Sequence, residues 1–146
     1  MAASLTIRER TLQCERWLRA NYPTPYPVVV RWVAKVPADP GDPPTSRARG
    51  YLGDCYWVRP NTVIRLSRRR CRETWIAVET LMHEWAHAVV MPNDRVWKAQ
   101  QRHGRCEEHP DEFGLVANRI YRAWYDEGGA LEASASERAP RRRPAR

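Results

Sequence analysis

Residues 73–90 read ETWIAVETLMHEWAHAVV, with Pro92 just beyond. Trp75, Ile76, Val78, Leu81, Met82, Trp85, Ala88 and Val89 make the segment apolar over much of its girth. A helix patterned in this way buries most of its surface, and the proline stops it. The same segment carries His83, Glu84 and His87. Left without partners in a core, these groups would be strongly destabilising. Something must satisfy them, and the rest of the chain narrows what that is.

On the N-terminal side of this helix the pattern is that of strands. Residues 28–36, VVVRWVAKV, alternate, with Val28, Val30, Trp32, Ala34 and Val36 on one face and Arg31 and Lys35 on the other. A loop rich in Pro and Gly follows at 37–50. Residues 51–58 and 62–67 then read as two strands joined by a tight turn at Pro60 and Asn61, an antiparallel hairpin in which Gly53 marks a bulge. An earlier segment, 4–20, has a rough one-sided stripe of Leu5, Leu12, Trp17 and Leu18 and reads as a helix. Residues 91–110 have no clean period. In 111–126, Phe113, Val116, Ala117, Ile120, Tyr121 and Trp124 follow helical spacing, and Gly128 and Gly129 suit the helix end. Strands grouped ahead of the main helices predict an α+β fold: a short antiparallel sheet of about three strands packed with the 73–90 helix and flanked by N- and C-terminal helices.

The chain has 146 residues, enough for one domain with a modest core. We expect that domain over 1–130 and a disordered basic tail over 131–146. Residues 134–146, SASERAPRRRPAR, carry five arginines against Glu137, half of the net charge of +8. Such a composition cannot build a core and is suited to phosphate backbones. No apolar run is long enough to span a bilayer, and the N-terminus lacks a basic-then-apolar leader, so no membrane association and a cytoplasmic location are expected. Cys14, Cys55, Cys71 and Cys106 form no CxxC pair, which argues against a zinc ribbon.

His83 and His87 are four residues apart, so a helix places both imidazoles on one face within reach of a single metal ion. Glu84 projects beside that ion, where a carboxylate can take a proton from water. This is the HExxH pattern of zinc peptidases, in which zinc lowers the pKa of its water and the glutamate is the general base. A catalytic zinc usually has three protein ligands. Downstream, RHGRCEEHPDEFG offers His103, Glu107, Glu108, His109, Asp111 and Glu112. His109 is the favoured third ligand, and Glu112, at the first turn of the last helix, is its main rival.

HEWAH at 83–87, followed by HPDEF at 109–113 and an amphipathic helix, resembles the SprT-like zinc metallopeptidases, a zincin family with stand-alone phage and bacterial members. The pattern in that family is HExxH and then a segment close to HGxxF; Pro110 stands here where the family usually has Gly. The resemblance covers about residues 25–126. It implies a zincin-like fold, a Zn2+ cofactor held by His83, His87 and His109, Glu84 as general base, and a protein or peptide substrate. Some members cleave proteins attached to DNA. Arg68–Arg72 and the tail are the basic segments suited to nucleic acid, and they support the alternative of a nucleic-acid-binding protein with a structural zinc and no protease activity. His103 is a candidate for holding an oxyanion, as are Tyr121 and Tyr125, with Tyr121 more readily explained as core. Cys106 lies near enough in sequence to be considered as a ligand. Trp85 is expected to pack, or to wall the site.

Overall fold

The computed structural model describes residues 5–37, 50–91 and 111–138. Helix α1 (Ile7–Asn21) opens on a capping box: the Thr6 backbone N–H donates to the Glu9 carboxylate at 2.8 Å, and the Glu9 N–H donates to the Thr6 hydroxyl at 3.2 Å. Its buried side chains are Thr11, Gln13, Cys14, Trp17 and Leu18. The stripe expected from Leu5 and Leu12 does not form, since both are exposed. The face that packs runs through 11, 14 and 18, which helical spacing brings into line.

Strands β1 (Val28–Val33), β2 (Gly53–Val58) and β3 (Asn61–Ser67) form one sheet in the order β1-β3-β2. The hairpin is present as expected, with Val58 opposite Asn61 across the turn at Arg59 and Pro60, one residue earlier than predicted. The sheet is mixed rather than antiparallel, because β1 runs parallel to β3, from Val28 opposite Thr62 to Val33 opposite Ser67. Thr62, Val63, Ile64, Leu66 and Ser67 are all buried, so both faces of this strand are covered and it takes the central position. Gly53 pairs with Leu66 within the regular β2–β3 ladder, with no bulge there.

Helix α2 (Thr74–Val89) is the predicted apolar helix, and it lies at the centre of the molecule. It packs against α1, against β2 and β3, and against α3 (Asp111–Tyr125). Leu81, Met82, Trp85, Ala86 and Ala88 are buried in it, together with Ile64 and Leu66 from the sheet and Phe113, Ile120 and Trp124 from α3. Trp75, counted in the apolar girth, is exposed, and its indole N–H donates to Glu73 at 2.6 Å. The α3 face is the predicted one, with Phe113, Ala117, Ile120 and Trp124 buried. A further helix, α4 (Gly129–Arg138), occupies the first part of the stretch expected to be disordered. It packs on α1, burying Ala133, and Glu132 accepts from the Trp17 indole at 3.3 Å. The α+β class is as expected. Among the described residues no helix is long and apolar enough to cross a membrane.

Candidate metal centre

The apolar pattern of α2 seats one face on the sheet and another on α1. Between the sheet side and the α3 side a strip remains half-buried, and His83 and His87 occupy it. Their ring centroids are 5.1 Å apart and their planes are inclined at 72°. Two imidazoles on one tetrahedral zinc, each with its nitrogen about 2.0–2.1 Å from the ion, hold their centroids roughly 5 Å apart. The pair therefore has the separation that a shared ion requires.

Glu84 points towards the sheet and is only 7% exposed. Burial pushes its carboxyl up to about 8 from an ordinary value of 4.5, and the negative charge of Asp54 on β2 adds to the shift. Asp54 itself is held by a two-pronged pairing with Arg65 on β3, whose Nε donates to Oδ1 at 2.8 Å while the second nitrogen donates to Oδ2. The Arg65 guanidinium also lies over the Tyr56 ring, 4.8 Å from its centroid. Charge around Glu84 is thus set by strand β2.

The approach of β2 to Glu84 depends on Gly53. A Cβ added there would lie 2.7 Å from Thr80 Cγ2, 2.8 Å from the Arg65 carbonyl oxygen and 3.3 Å from Glu84 Cγ. The sequence signal was present, since a glycine inside a strand marks either a bulge or a close backbone approach, and here it is the approach. Because the Arg65 contact is with backbone, it cannot be relieved by a rotamer change. Gly53→Ala is expected to cost about 1–3 kcal/mol, as overpacking does, and to displace Glu84. Chemical denaturation of the variant measures the first effect, and a loss below about 0.5 kcal/mol, within the range of ordinary surface changes, would contradict this packing.

His109, His103 and Cys106 lie outside the described residues. Glu112 is exposed in the first turn of α3, and no group of three His, Cys, Asp or Glu side chains able to hold a metal occurs among the described residues. Glu112 therefore does not join His83 and His87 here. What reaches the histidines from α3 is Phe113, whose ring stacks on His87 and meets His83 edge-on.

Other candidates have structural duties. The Tyr121 hydroxyl donates to the Glu79 carbonyl and the Tyr125 hydroxyl to the Glu79 carboxylate, each at 3.1 Å, tying α3 to α2. Burial, with Glu79 nearby, pushes both phenols up to about 12. Trp85 packs away from the histidine strip, and its indole N–H donates to the Tyr22 carbonyl at 3.0 Å. Burial likewise pushes the Cys55 thiol up, with Glu84 and Asp54 adding to the shift, so it stays protonated at neutral pH and is a poor nucleophile. Arg68, Arg69 and Arg72 are exposed on the turn before α2, with Arg68 donating to the Trp32 carbonyl at 3.0 Å and Arg70 to the Gly50 carbonyl at 2.8 Å. The chain matches no family model, no curated protein and no solved structure.

Proposed function

We propose that this chain is a small zinc metallopeptidase of the HExxH type, similar to the SprT-like families, hydrolysing peptide bonds in a protein or peptide substrate. The observation that carries the reading is the pair of half-buried imidazoles at a metal-sharing separation beside a buried carboxyl. His83, His87 and His109 would hold the ion. Ligand preference and the HPDEF match at 109–113 favour His109 as the third. Zinc held by these residues would supply Lewis acidity towards the scissile carbonyl and would acidify a bound water. With a cation at the histidines favouring its ionised form, Glu84 would take the proton from the attacking water and deliver it to the leaving amine. Buried against β2 at Gly53, the carboxyl is kept from bulk solvent, which limits the positions it can adopt.

Incubation of the zinc-loaded chain with an unfolded protein such as casein tests the activity. Fragments should appear, vanish with a chelator and return when zinc is restored. Intact substrate under all three conditions would overturn the proposal.

The exposed Arg68, Arg69 and Arg72 favour a second reading, a nucleic-acid-binding protein with a structural zinc. It requires salt-dependent binding to DNA or RNA that survives loss of the zinc ligands, with no proteolysis. Binding that is absent at low salt would remove it.

A further inference from the structure

Among the described residues, Phe113, the third residue of α3, has its ring against both histidines. Its ring lies 4.2 Å from the His87 ring at 28°, a stacked pair, and 5.1 Å from the His83 ring at 66°, an edge-on pair. It is 6% exposed. Sequence periodicity places it in the apolar stripe of α3, yet it is packed on the candidate ligands.

The contact bears on what the helix alone leaves loose. Helical spacing fixes where the two Cβ atoms lie, but the second side-chain torsion of histidine is broad and roughly two-fold. A ligand nitrogen must be aimed, and the groups that aim metal-bound histidines matter nearly as much as the ligands. A flat ring stacked on His87 blocks rotation out of the shared plane, and the same ring set edge-on limits the swing of His83. Tyr121 and Tyr125 anchor α3 to Glu79, one helical turn before His83, so the Phe113 ring is itself held in place.

We infer that Phe113 is a positioning residue for the metal site, holding the planes of both imidazoles in the orientation that binds the ion. This rests on the zinc reading above. A ring with only a structural role would support the fold and leave the metal affinity of the folded protein unchanged.

Cobalt(II) serves as the probe, since its visible absorption reports ligand geometry. The full-length protein, freed of metal, is titrated with cobalt as wild type, Phe113→Leu and Phe113→Tyr, with thermal melts alongside. Phe113→Leu is expected to lower cobalt affinity about 10- to 100-fold, the range seen when such supporting groups are lost, and to change the visible spectrum. Phe113→Tyr keeps the ring and should restore both. Phe113→Leu with wild-type affinity and spectrum overturns the inference while leaving the metal site standing. Should the leucine variant fail to fold, Phe113→Met, unbranched and of similar volume, is read by the same criteria. Wild-type protein that takes up neither cobalt nor zinc overturns the metal reading and this inference with it.

Discussion

Glu84→Gln will keep the metal and lose the chemistry. Glutamine matches glutamate in shape, so the packing against Gly53 and Thr80 survives, but the amide cannot accept the water proton. Peptide hydrolysis should fall about 10²- to 10⁴-fold, the usual contribution of a positioned general base, with zinc content unchanged. Cleavage assays on matched zinc-loaded samples give the answer, and full activity in the variant would end the assignment of Glu84. A second consequence concerns the metal-free protein. Burial raises the Glu84 carboxyl to about 8 in the folded state from an ordinary 4.5. Between those values the folded chain holds the proton more tightly than the unfolded chain, so this group's contribution to stability falls as pH rises from about 5 to 8. Glutamine has no such dependence. The melting temperature of metal-free Glu84→Gln relative to wild type should therefore climb across that window. A constant difference would mean that the carboxyl is not desolvated as described.

Trp85→Ala is expected to be the most damaging change to the fold. Trp85 lies inside the motif but turns away from the histidines into the core, 1% exposed. Its indole donates to the Tyr22 carbonyl, and the Arg19 guanidinium lies over its ring, 5.3 Å from the centroid. Truncation removes the largest fully buried side chain among the described residues and takes away that carbonyl's indole donor. A loss of about 3–5 kcal/mol is expected, against a total stability of about 5–15 kcal/mol for a domain. Denaturant titration checks it. A cost under about 1 kcal/mol would show that Trp85 does not join α1 to α2 as its contacts indicate.

The helices were legible because their spacing carries the fold directly. Phe113, Ala117, Ile120 and Trp124 recur at helical intervals and are buried, and the girth of α2 announced a central helix. Strand order was less legible. Alternation tells which face a residue takes, not which neighbour a strand chooses or in which direction it runs; the burial of β3 on both faces fits its central place, while the parallel direction of β1 has no counterpart in the pattern. Helix α4 was missed because Gly128 and Gly129 read as a stop, while GALEASASER offers few apolar residues to set against its charge. At the candidate site, the spacing of HEWAH sets His83 and His87 on one side of a helix, and that helix forms. Asp54 and the close approach at Gly53 depend on strand pairing, which the sequence does not spell out. Phe113 was visible as a member of a stripe, but its contact with the histidines depends on how α3 crosses α2.

The central claim is that His83, His87 and His109 hold one zinc ion. Zinc content per chain, measured after refolding with zinc for wild type, His83→Ala, His109→Ala and Glu112→Ala, tests it most directly. One zinc is expected in the wild type and in Glu112→Ala, and none in His83→Ala or His109→Ala. A wild type without zinc, or loss of zinc in Glu112→Ala with retention in His109→Ala, would contradict it.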